Sequence, residues 1–134
     1  MGRNTFISLP TNDLAAADTF YAALGFEKNP GFSNEQATAR FITPQVWLMS
    51  LTAGFYETFL RGGDTASFGH GTKESLLGFS CDSREEVDRL TAAAVENGGA
   101  IYREPAEEMP GMYGSAVTDP DGHVWELMWM EQAG

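Results

Sequence analysis

Cysteine is almost missing from this chain: Cys81 is the only one in 134 residues, so no disulfide can form within it. That agrees with a reducing, cytoplasmic setting in which stability comes from an apolar core, and Cys81 itself is expected to pack. Long apolar runs are lacking as well. Nothing approaches the roughly 18 to 20 residues needed to span a bilayer, and Met1-Gly2-Arg3-Asn4-Thr5 has no signal-peptide pattern. No membrane partner is expected. Basic residues are few, 8 against 19 acidic, and the formal charge of −11 repels polyanions at long range. Nucleic acid is therefore disfavoured as a partner. What remains is the composition of a globular protein, 43% apolar with scattered Gly and Pro. This length of chain suits one domain with a real core.

The run Thr5-Phe6-Ile7-Ser8-Leu9 reads as a strand closed by Pro10, and Asn12 or Asp13 can cap a following helix. Leu14, Ala17, Phe20, Tyr21 and Leu24 recur at helical spacing, and Gly25 suits a left-handed helix end. Strands are predicted near Phe26 to Asn29, at Ala37 to Ile42, and at Val46 to Leu51. A second strand-helix passage starts at Ser75 to Ser80, with Ser83 and Glu86 as a capping box and Val87, Leu90, Ala94 and Val95 facing inward up to Gly98-Gly99. Strands follow at Ala100 to Arg103, Gly114 to Thr118 and His123 to Met130, the last two joined by the turn Asp119-Pro120-Asp121-Gly122.

The two passages can be superposed as one repeated unit. Setting Asp13 against Asp82 places Phe6 opposite Ser75, and Val46-Trp47-Leu48 opposite Val124-Trp125-Glu126. The expectation is an α+β fold of two tandem βαβββ units, about 4–52 and 74–131, whose strands form a curved mixed sheet around a cleft with helices outside. The connection of about 53–73 contains Phe55-Tyr56-Glu57-Thr58-Phe59-Leu60. A stretch of that length is a linker or a flap that packs over the cleft.

Leu9-Pro10-Thr11-Asn12-Asp13-Leu14, Phe20-Tyr21-Ala22-Ala23-Leu24-Gly25-Phe26 and Asp119-Pro120-Asp121-Gly122-His123-Val124-Trp125-Glu126 together resemble the glyoxalase, bleomycin-resistance and extradiol-dioxygenase (vicinal oxygen chelate) superfamily. Leu9-Pro10, Met112-Tyr113-Gly114 and Trp125-Glu126-Leu127-Met128-Trp129-Met130 are similar to its lactoylglutathione lyase-like subgroup. The resemblance implies a small-molecule cleft, a homodimer, and in many members a divalent metal held by His or Glu from the first and last strands of each unit. At the four corresponding positions stand Phe6, Leu48, Ser75 and Glu126, so three lack donors of the usual type. A divalent ion needs at least three. No metal or other cofactor is therefore assigned.

Of the two histidines, His123 falls on the strand face opposite Glu126, and His70 lies between glycines in the connection. Alternation puts Val124, Glu126 and Met128 on one face. A carboxylate there, among Phe6, Leu48 and Met128, would be partly desolvated and suited to proton transfer, or else held by Ser8, Ser50, Ser75 or Tyr113. Phe55 and Phe59, with Trp47 and the methionines, are candidate ligand contacts. Three functions stay open: a lyase or isomerase using Glu126 for proton transfer, a non-catalytic protein that sequesters a drug or antibiotic, and a metal-dependent lyase or dioxygenase with other ligands.

Overall fold

A computed structural model describes residues 2–131. The chain divides into two compact units between Phe68 and Gly69. Among the described residues eight strands pair as two four-stranded mixed sheets, one in each unit, so the class is α+β and each unit follows the βαβββ order.

In the first unit β1 (Thr5–Thr11) leads to α1 (Leu14–Ala23), and β2 (Glu27–Lys28), β3 (Ala37–Thr43) and β4 (Val46–Thr52) follow. The helix starts where Asp13 accepts a hydrogen bond from Ala16 N at 3.1 Å, and it ends at Gly25, whose φ of 87° a side chain would resist. The sheet order is β1-β4-β3-β2, with β1 parallel to β4 and the other pairs antiparallel. Helix α1 buries Ala17, Phe20 and Tyr21 against one face of this sheet, where Leu48 is also fully buried. On that face Arg40 donates to the carbonyls of Phe26 at 2.8 Å and Asp18 at 3.4 Å, and its guanidinium lies 3.5 Å from the Asp18 carboxylate. A buried cation is tolerated there because several acceptors meet it.

The second unit runs β5 (Leu77–Ser80), α3 (Arg84–Glu96), β6 (Ala100–Met109), β7 (Met112–Thr118) and β8 (Val124–Met130), in the sheet order β5-β8-β7-β6. Ser83 accepts from Glu86 N at 3.0 Å, while the Glu86 carboxylate accepts from Asp82 N at 2.7 Å. Helix α3 buries Val87, Leu90 and Ala94 over Val117, Trp125 and Leu127. Its Thr91 hydroxyl donates to the Val87 carbonyl and therefore accepts from Ser115 in their 2.7 Å contact. Val95, expected inward, is exposed, because the helix has turned its face past the sheet by that position.

Strand β6 is longer than the sequence indicates and runs through Pro105. It is an edge strand with register shifts along its pairing with β7, and a proline can sit there without removing a needed ladder bond. Strand β5 begins at Leu77, which leaves Ser75 exposed and outside it.

The helix caps correct the internal repeat by one residue. Asp13 corresponds to the capping Ser83, and Asp82 lies one place before it. Ser8 then matches Gly78, Phe6 matches Leu76, and the counterpart of Glu126 is Met49, since Ser8 pairs with Met49 as Gly78 pairs with Glu126. Leu48 and Ser50 belong to the face covered by α1. Leu48→Ala should accordingly lower stability in urea by about 2–5 kcal/mol, whereas Phe59→Ala, at a side chain 70% exposed, should cost about 1 kcal/mol or less. Equal losses for the two would contradict this register.

Candidate functional site

The face of the first sheet opposite α1 carries an apolar cavity of about 590 Å³. Its floor is Ser8 of β1, Ala37 of β3, and Met49 and Leu51 of β4, which alternation brings to the same side. One wall is the segment Gly31-Phe32-Ser33-Asn34, held by a hydrogen bond from Gly31 N to the Asn29 side chain. The other is Phe55, Tyr56, Phe59 and Leu60, from the short helix α2 (Ala53–Glu57) and the turn after it. Helix α2 forms because Thr52 accepts from Phe55 N, and the Glu57 carboxylate then takes Ala66 N at 2.9 Å and anchors the following loop. The stretch read as linker or flap thus builds one side of the cavity.

Aromatic rings dominate. Phe55 and Phe59 meet edge to face at 5.1 Å, and Phe32 also touches Trp47 at 5.4 Å. Phe6 and Phe41 flank the same indole at 5.3 and 5.1 Å, so Phe6 belongs to an aromatic cluster on the cavity side of the sheet but not to the lining. The polar groups are differently engaged. Ser33 Oγ donates to the Asn29 carbonyl and accepts from Ala39 N. Asn34 Oδ1 accepts from the amides of Gln36 and Ala37, which leaves its NH₂ group to donate elsewhere. The hydroxyls of Ser8 and Tyr56 have no hydrogen-bond partner among the described residues.

Glu126 stands on the face of the second sheet opposite α3, with Met128 on the same side. A row crosses this sheet from Arg103 through Ala116 and Glu126 to Gly78. Ala116 is small enough for the Arg103 guanidinium to reach over it, and Nη2 donates to Glu126 Oε2 at 2.6 Å. Arg103 also pairs with Glu108. At the other end a Cβ on Gly78 would sit 3.2 Å from the Glu126 carbonyl oxygen, so glycine permits the close approach of β5 to β8.

None of the serines proposed as partners holds this carboxylate, and Tyr113 does not either. Tyr113 shares its face with Ser115, under α3, where its hydroxyl donates to Asp88 at 2.6 Å. Sequence reasoning missed Arg103. Its meeting with Glu126 depends on the shifted register of β6, and no local motif signals that.

A divalent metal of the kind the resemblance implies does not fit these residues. With the corrected register the four positions are Phe6, Met49, Leu76 and Glu126: a ring, a thioether, an alkyl side chain and a single carboxylate. A guanidinium already occupies the one carboxylate. Among the described residues no group of three or more His, Cys, Asp or Glu side chains is placed to hold an ion. His70 is exposed in the connection, and His123 follows the turn in which Asp119 accepts from its amide at 2.9 Å.

The chain matches the family model of the Glyoxalase/Bleomycin resistance protein/Dioxygenase superfamily over residues 5–127. It belongs to that superfamily. No curated protein matches it. Among solved structures of the superfamily, a glyoxalase/bleomycin resistance protein from Albidiferax ferrireducens is 27% identical with a TM-score of 0.69, over 93% of this chain and 96% of that one. A glyoxalase/bleomycin resistance protein/dioxygenase family enzyme from Burkholderia phytofirmans gives 20% identity and a TM-score of 0.79, over 96% and 99%. A lactoylglutathione lyase from Agrobacterium tumefaciens gives 16% and 0.68, over 96% and 94%. At the last two identities the likeness speaks for the superfamily fold alone.

Cys81 is no candidate nucleophile. Burial, reinforced by the nearby carboxylates of Glu86 and Asp82, pushes its thiol up from 9.0 to about 11. The folded protein holds this proton more tightly than the unfolded chain does. The contribution is therefore intact below about pH 9 and is lost as pH rises towards about 11. Alkaline denaturation curves should fall more steeply over that window for the wild type than for Cys81→Ala, and iodoacetamide near neutral pH should label native protein far more slowly than urea-unfolded protein.

Proposed function

We propose that the chain binds a small organic molecule in the cavity of its first unit and acts by sequestering it, as the bleomycin-resistance branch of the superfamily does. One observation carries this reading: the lining offers rings, a thioether, hydroxyls and an amide, but no carboxylate, imidazole, ammonium or guanidinium group. Such a surface can hold a ligand by apolar contact and hydrogen bonds. Apart from the Tyr56 phenol, it lacks the usual carriers of a proton in catalysis. A cytoplasmic homodimer belongs to the same proposal, supported by the single Cys81, by the family resemblance and by the exposed Phe6, which lies outside the cavity lining. A monomeric mass at micromolar concentration would remove the dimer from it.

The test is a screen of mixed neutral, cationic and anionic compounds, read by the methyl resonances of Met49 and Met128 in the full chain. Binders should move Met49, and Phe59→Ala should weaken them about tenfold, the equivalent of 1.4 kcal/mol. If no compound of any charge moves Met49, the cavity is not the site.

A second reading is proton transfer by Glu126 in a lyase or isomerase. It is supported by the position of Glu126 beside Met128 on the face opposite α3, with 29% of its side chain exposed. Against it stands the Arg103 guanidinium, which engages the carboxylate that would have to accept the proton. Binders that move Met128 instead of Met49, with turnover abolished in Glu126→Gln, would establish this reading and displace the first.

A further inference from the structure

We infer that the ligand of the first-unit cavity is an uncharged, flat aromatic molecule carrying carbonyl oxygens, of the aryl ketone or quinone class; the inference rests on the binding reading above. The charge follows from the lining. No ionised side chain is present to neutralise an anion or a cation, and two hydroxyls and one amide replace only part of the hydration that a charge loses in an apolar site of this kind. The formal charge of −11 adds a long-range penalty for anions. A glutathione conjugate, which bears two carboxylates and one ammonium group, is disfavoured on both grounds.

The aromatic character follows from what the walls leave open. Phe32 and Phe59 are 64% and 70% exposed at the cavity edge, and a ring laid against them would remove that surface from water while making edge or offset contacts. The carbonyl follows from the hydrogen-bond inventory. The NH₂ group of Asn34 can only donate, and the hydroxyls of Ser8 and Tyr56 are free to do so. The hydroxyls can also accept, but the Asn34 amide can only donate, and a carbonyl oxygen is the ligand group that all three can serve at once.

The probe is prodan, an uncharged naphthyl ketone whose emission reports polarity, set against toluidinonaphthalene sulfonate, an anionic naphthyl dye. With the full chain, prodan should bind saturably with a blue shift, at least about tenfold tighter than the sulfonate. Ser8→Ala and Tyr56→Phe should each weaken it about three- to tenfold, as the loss of one hydrogen bond does. Phe59→Ala, at an exposed side chain that the fold does not need, should weaken it as well. Undecan-2-one, a ketone without a ring, should compete poorly. Equal or tighter binding of the sulfonate, sensitive to the same variants, would overturn the charge class while leaving the cavity as a binding site. Prodan binding that none of the three variants changes, or no prodan binding at all, would also overturn the inference, and the Met49 screen would still decide whether the cavity binds anything.

Discussion

The parallel pairing of β1 with β4, and of β5 with β8, determines what each side chain on those strands can meet. In a strand the side-chain period is two, so a shift of one residue moves a whole set of side chains from one face of the sheet to the other. Each unit has one face closed by its long helix and one face left to other uses. The paired strands put Leu48 and Ser50 under α1, and Ser8, Met49 and Leu51 on the opposite side. The same constraint in the second unit puts Trp125 and Leu127 under α3 and turns Glu126 and Met128 away from it. Core and candidate site are thus two sides of a single register.

The two units have used the faces opposite their long helices differently. In the first, the floor of small and apolar residues is walled by aromatic side chains, and the polar groups there are uncharged. In the second, Ala116 and Gly78 leave room for an Arg103–Glu126 ion pair that crosses the sheet. A partly exposed ion pair of this sort contributes little to stability. Its consequence is chemical, because a guanidinium sits against the only carboxylate at the positions where the superfamily's metal ligands are expected. The repeated fold is retained in both units, whereas among the described residues neither face carries a donor set for an ion.

Much of the architecture was legible from local signals. Asp13 and Ser83 start helices through contacts with amides three residues ahead, Gly25 ends one, and the apolar spacing of Phe20 and Tyr21 or of Val87, Leu90 and Ala94 needs only the helix period to be read. The candidate site was legible in part. Ser8, Phe55 and Phe59 were expected near a ligand and line the cavity, but Phe32 and Asn34 reach it from the segment after β2, whose folding over the sheet has no local signature. The internal repeat was found in the sequence and set one residue out. Asp13 and Asp82 look equivalent as letters, while the equivalent caps are Asp13 and Ser83.

The sequence by itself determined the elements, their order, the doubling of the βαβββ unit and the scarcity of metal donors, because propensity, capping and composition act over a few residues or over none. Only the tertiary structure decided that Met49 and not Leu48 corresponds to Glu126, that Arg103 holds Glu126, that Tyr113 turns to Asp88, and that α2 closes one side of a cavity. Each of these depends on which residues of distant strands lie side by side. That register is set by packing and by bulges such as those of β6, which no short stretch of sequence encodes.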